Sequence, residues 1–76
     1  MSRYYFDVSD GEHVIPDDEG LVLDDIEAAR LEAQRSIVDL AVDVFEDDQR
    51  ELVITVRDEN GPALRVRLLL IVEPLV

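Results

Sequence analysis

Cysteine, lysine and tryptophan are absent from this sequence. Without cysteine there is no disulfide staple, no thiolate nucleophile and no zinc site of the usual kind. Without lysine there is no side-chain amine for Schiff-base chemistry, and every permanently charged basic side chain is one of seven arginines, set against 19 acidic residues. The formal net charge is −12 and the isoelectric point about 4.1. Such a field repels nucleic-acid backbones and anionic membranes, and favours basic partners. Long apolar runs are missing too. The longest, Leu68 to Val72, falls far short of the roughly 20 residues of a membrane helix. The start, Met1-Ser2-Arg3-Tyr4, lacks the build of a signal peptide, so the expected location is the cytoplasm with no membrane partner.

What is present is patterned. At 76 residues the chain reads as a single domain, 1–76, whose core is small enough that close packing or a partner chain must support it. Hydrophobic residues make up 47%, too many and too regularly spaced for a disordered acidic chain. From Arg3 to Ser9, Tyr4, Phe6 and Val8 alternate with Arg3, Tyr5 and Asp7, the period of a half-buried strand. Asp10-Gly11 turns the chain, Glu12 to Ile15 returns as a short partner strand, and Pro16 ends it. Leu21 and Leu23 then tuck under the sheet edge. Glu51 to Asp58 alternates with Leu52, Ile54 and Val56 inward and Val53, Thr55 and Arg57 outward. Asn60-Gly61 signals a hairpin, lengthened by the missing amide of Pro62. Ala63 to Glu73 is a last strand with Leu64, Val66, Leu68, Leu70 and Val72 inward, and Pro74 closes it.

Between these strands lies one helix, Asp24 to Phe45. Asp24 as N-cap with Glu27 three residues on forms a capping box, and Asp25 adds negative charge beside the helix dipole. Ile26, Ala29, Ala33, Ile37, Leu40, Ala41 and Val44 form the core stripe. Leu31, Val38, Val42 and Phe45 form a second stripe roughly 100–160° away at helical periodicity. The fold class is therefore α+β in the order β-β-α-β-β. Two hairpins form one four-stranded sheet with a single long helix packed across one face.

The run Arg3-Tyr4-Tyr5-Phe6-Asp7-Val8-Ser9-Asp10-Gly11 resembles the opening of a small uncharacterised family of alphaproteobacterial, rhizobial-type proteins. The likeness continues through Asp17-Asp18-Glu19-Gly20, Leu23-Asp24-Asp25-Ile26, Glu27-Ala28-Ala29-Arg30 and Val56-Arg57-Asp58-Glu59-Asn60-Gly61. It implies a bacterial domain of unknown function, and it carries no activity or site residues.

Four kinds of chemistry can be weighed on the residues themselves. A nucleophilic set drawn from Ser9, His13 and Asp7 would sit on one small hairpin, with nothing to exclude water or build an oxyanion site. Asp17, Asp18, Glu19, Asp24 and Asp25 are oxygen donors, but they lack EF-hand spacing and read as a cap plus solvated charge. Arg3, Arg57, Arg65 and Arg67 share the sheet face away from the helix with Tyr5, as in some RNA-binding sheets. Asp7 and Glu73 share that face, however, and cross-strand pairing is the plainer reading. Association fits best. Leu31, Val38, Val42 and Phe45 on the helix, with Leu69 and Ile71 on the outer sheet face, are apolar positions that one helix on one sheet does not use. The expectation is a non-enzymatic acidic interaction or regulatory module, with no metal or cofactor, forming a homodimer through those six residues. The competing reading is an acidic partner of a basic protein, antitoxin-like or a nucleic-acid mimic, acting through Asp17 to Asp25 and Glu46 to Asp48.

Overall fold

A computed structural model describes residues 1–45 and 51–76. The elements in order are β1 (Ser2–Ser9), β2 (Val14–Ile15), β3 (Leu21–Leu23), α1 (Ile26–Val44), β4 (Glu51–Asp58) and β5 (Gly61–Leu69). The strands form one antiparallel sheet in the order β2-β1-β4-β5, with β3 also paired to β1. The helix lies across one face, over β4 and β5. The α+β architecture is as the sequence pattern predicts, with one strand more. Leu21–Leu23 does not tuck beneath the edge but pairs with Ser2–Tyr4, while β2 pairs with Val8–Ser9 farther along the same strand.

Alternation sets the core. Tyr4, Phe6 and Val8 of β1, Leu52, Ile54 and Val56 of β4, and Leu64, Val66 and Leu68 of β5 all join the cluster beneath the helix. Leu52, Ile54 and Val56 are its largest fully buried side chains, each contributing about 1.5–3 kcal/mol. Ala29 and Ala33 are completely buried, so the helix backbone lies close to the sheet where only a methyl group separates them. Ile37, Leu40, Ala41 and Val44 continue the contact. Ile26 does not join it: as the first helical residue it is exposed, and the buried stripe begins at Ala29. Val53 faces the other way but is buried nonetheless, because Ser9 and Arg67 flank it in register on the central strand.

The ends of the elements depart from expectation in ways the backbone explains. The N-cap is Asp25, not Asp24. Its Oδ1 accepts from the Ala28 N–H at 2.9 Å, and its extended backbone turns the chain into the helix. With the cap displaced by one residue, Glu27 is out of place for a capping box and pairs with Arg30 instead. The β4–β5 turn is tight despite Pro62. Asp58 pairs with Gly61, which takes φ +115, and the ladder slips between Val56 and Arg57 so that Pro62 faces Arg57. Finally, β5 ends at Leu69 rather than Glu73, its last described ladder partner being Glu51. Residues 70–76 run on with no secondary structure.

Candidate functional site

The most organised polar feature is a clasp on the open face and outer edge of β1. Between β2 and β3 the chain leaves β1, and Asp17 replaces the missing strand. Its Oδ2 accepts from the Phe6 N–H at 3.1 Å, and its Oδ1 accepts from the N–H groups of Glu19 (3.0 Å) and Gly20 (3.1 Å). Asp7 reciprocates, accepting the Asp17 N–H at 2.8 Å. Arg57 reaches across from β4. Its Nε donates to Asp7 Oδ2 at 2.6 Å, its Nη2 donates to the Asp17 carbonyl at 2.8 Å, and its guanidinium lies 4.6 Å from the Tyr5 ring centroid. Gly20 completes the turn at φ +72, where a Cβ would stand 2.7 Å from the Tyr4 carbonyl oxygen. Only glycine fits there.

Electrostatics follow the geometry. The Arg57 hydrogen bond holds the Asp7 carboxyl below its usual pKa, against the opposing effect of burial. For Asp17 burial pushes upward, but the N–H groups of Gly20, Glu19 and Phe6, with the charge of Arg57, outweigh it and leave the pKa lowered. Arg57 is held more firmly protonated by its hydrogen bond to Asp7. Both Asp17 oxygens are thus committed to backbone. The clasp is a structural device that ties β1, β4 and the β2–β3 loop together.

The sequence-derived candidates fall as follows. Leu31, Val38 and Val42 are 40%, 54% and 71% exposed on the outer side of α1. Phe45 is not with them; as the C-cap it packs against the core. Leu69 is 55% exposed at the end of β5, and Ile71, at 71%, lies past the strand rather than on its outer face. Leu70 and Val72, assigned inward by alternation, are exposed as well and lie past the end of β5. Of the acidic set, Asp17 is half-buried in the clasp, whereas Asp18, Glu19, Asp24 and Asp25 are exposed. Glu46 to Asp48 lie outside the described residues.

Neither the nucleophilic set nor a free basic face is assembled. Asp7 is engaged by Arg57, Ser9 Oγ accepts from the Gly11 N–H at 3.1 Å, and the carboxylate beside His13 is Asp10, at 3.7 Å. Arg3 donates to the Glu19 carbonyl, Arg65 reaches Thr55 Oγ1, and Arg67 stands 4.0 Å from Glu51. An apolar groove of about 160 Å³ runs between the β1–β2 hairpin and the end of the helix, lined chiefly by Val8, Ile15, Leu40, Val44 and Leu52. Sequence reasoning missed Gly20 and the inward role of Asp17. The D-x-x-G spacing after Pro16, an Asx-turn signature, was the available signal.

These features define a small helix-on-sheet α+β domain with a structural clasp and surplus apolar surface. The chain belongs to the family described as Domain of unknown function (DUF6894), which matches residues 3–69, from the second residue of β1 to the last of β5. No curated protein and no solved structure matches the chain. Among the described residues no helix is long and apolar enough to cross a membrane.

Proposed function

We propose that this domain is a non-enzymatic acidic interaction module that self-associates as a homodimer. The observation that carries the proposal is surplus surface. A folded chain of 8.6 kDa exposes about 4,700 Å² by the usual scaling. This one exposes 5631 Å², an excess of about 900 Å². The radius of gyration tells the same story, at 13.7 Å against about 11 Å for a compact chain of this length. Exposed apolar side chains include Leu31, Val38 and Val42 on the helix and Leu69 to Val72 at the sheet end. A standard interface removes roughly 800 Å² per partner, which is the size of the surplus. The opening motif, Arg3 to Gly11, supports an alphaproteobacterial source.

A second reading keeps the exposed carboxylates of Asp18, Glu19, Asp24 and Asp25 as a surface for a basic protein, antitoxin-like or as a nucleic-acid mimic. Salt separates the two. Copies that each carry −12 repel one another, so screening strengthens self-association, whereas it weakens attraction to a cation. Sedimentation velocity at increasing ionic strength is the test. A dimer that tightens with salt is expected, and a strict monomer at high protein concentration overturns the proposal.

A further inference from the structure

The order of residues at the end of β5 distinguishes the two apolar surfaces. The run Leu68-Leu69-Leu70-Ile71-Val72 is bracketed by Arg67 before it and Glu73 after it. β5 is the last strand of the sheet path, so among the described residues its outer edge has no partner. Its inner partner stops at Glu51, opposite Leu69, so Leu70 to Val72 have no strand on either side among the described residues. Edges of this kind are ordinarily blunted by charge or proline. Here Arg65 and Arg67 protect the strand itself, and nothing polar protects the run that follows until Glu73.

Resting on the self-association proposed above, we infer that two copies join edge to edge, by antiparallel pairing of residues 66–74 about a twofold axis at Leu70. An edge strand turns its free N–H and C=O groups outward at every second residue, so facing residues on two identical edges must both be even-numbered or both odd-numbered. That rule also keeps both helices on one face of the joined sheet. With the axis at Leu70, Leu70 faces the partner's Leu70 and Leu68 faces the partner's Val72 on the helix side. On the open side Leu69 faces the partner's Ile71, and Arg67 faces the partner's Glu73. Every apolar residue of the run meets an apolar residue, and each charge at its borders meets the opposite charge, twice over by symmetry. The neighbouring registers each leave a charge against an apolar side chain: an axis at Leu69 sets Arg67 against the partner's Ile71, and an axis at Ile71 sets Glu73 against the partner's Leu69.

Glu73 is open to this pairing, and Arg67 would share its guanidinium with Glu51 of its own chain. Arg67 holds Glu51 only at 4.0 Å, and Glu73 makes no ion pair among the described residues. The segment contributed by Leu70 to Glu73 lies beyond the residues that match the family, so it is a property of this chain and not of the matched region. The helix stripe Leu31, Val38 and Val42 lies on the far side of α1 and stays outside the joint.

The absence of native cysteine makes the test clean. Facing residues of an antiparallel pair have Cα atoms about 4.5–5.5 Å apart, within disulfide range. L70C is therefore expected to form a covalent dimer quickly under mild oxidation, while V42C on the helix does not. Sedimentation of the unmodified chain runs alongside. A monomer there overturns self-association and this register together. A dimer in which V42C cross-links and L70C does not overturns the register alone and assigns the contact to the helix. Charge exchange supplies an independent readout. R67E and E73R are each expected to weaken the dimer about tenfold, from two like-charge facings per dimer. The double variant R67E/E73R is expected to return to within about threefold of the unmodified chain. Additive losses in the double variant overturn the pairing of Arg67 with the partner's Glu73.

Discussion

Asp17→Ala is the sharpest probe of how this fold is tied. The substitution removes two oxygens that accept three backbone N–H groups, those of Phe6, Glu19 and Gly20. The Glu19 N–H is exposed and turns to water at little cost. The bonds from Phe6 and Gly20 are partly buried, and an orphaned buried donor costs about 1–3 kcal/mol. With partial exposure the expected loss is about 2–4 kcal/mol in all. A domain of this length carries roughly 4–11 kcal/mol of stability, so the loss is a large share of it. Urea denaturation at fixed protein concentration reads it directly. With a slope of about 1 kcal/mol per molar urea, the midpoint falls by about 2 M or more while the slope stays constant. Asp17→Asn keeps one acceptor for Glu19 and Gly20 but turns an amide toward the Phe6 N–H, so it falls between the two. A midpoint for Asp17→Ala within about 0.5 M of the unmodified chain would refute the view that Asp17 substitutes for a missing strand. Acid adds a second axis. Asp17 and Asp7 both have lowered pKa values, so their stabilisation is complete above the ordinary carboxylate range, near pH 4, and is lost as pH falls through the lower folded-state values. Asp17→Ala should therefore lose less stability on acidification below pH 4 than the unmodified chain does, though it starts lower.

Gly20→Ala forces a side chain into φ +72 and against the Tyr4 carbonyl oxygen, and a loss of about 2 kcal/mol or more is expected in thermal melts, with Gly11→Ala, whose Cβ meets nothing, losing less. Asp25→Ala removes the helix cap and should cost about 1 kcal/mol in urea titration, whereas Asp24→Ala stays within about 0.5 kcal/mol. Equal effects would return the cap to Asp24. Self-association should strengthen between low and high salt in sedimentation velocity, and a fall in dimer content would show that opposite charges rather than apolar contact hold the copies.

The parts of the fold written as repeating patterns were legible. Period-two alternation placed Leu52, Ile54 and Val56 on the helix side, and the helical period placed Ala29, Ala33 and Ile37 against them, because burial on one face imposes those periods. Cross-strand pairing of arginine with carboxylate on the open face was legible, but that Arg57 is the partner of Asp7 was not, because Arg57 stands opposite Tyr5 in register. Decisions that turn on a single residue were not. Asp24 and Asp25 are chemically equal caps, and only the path of β3 into the helix chooses between them. The end of β5 at Leu69 was unreadable as well, because the apolar run continues without a break from Leu68 to Val72. Phe45 and Ile26 exchanged places for the related reason that a helical wheel has no ends. The first turn runs past the sheet, and the last folds its C-cap back onto it.

The way β1 is bordered limits what this molecule can become. On its outer side β1 meets two residues of β2, then Asp17, then three residues of β3, so that side of the sheet offers only fragments of strand. Neither fragment is long enough to template another chain. Among the described residues the sheet therefore has one long edge, and the pairing proposed above would use it up on both molecules. Assembly through β5 would then stop at two. A chain with an apolar, uncapped strand end and a second full-length edge would grow into a fibre; here the short-stranded flank terminates growth before it starts.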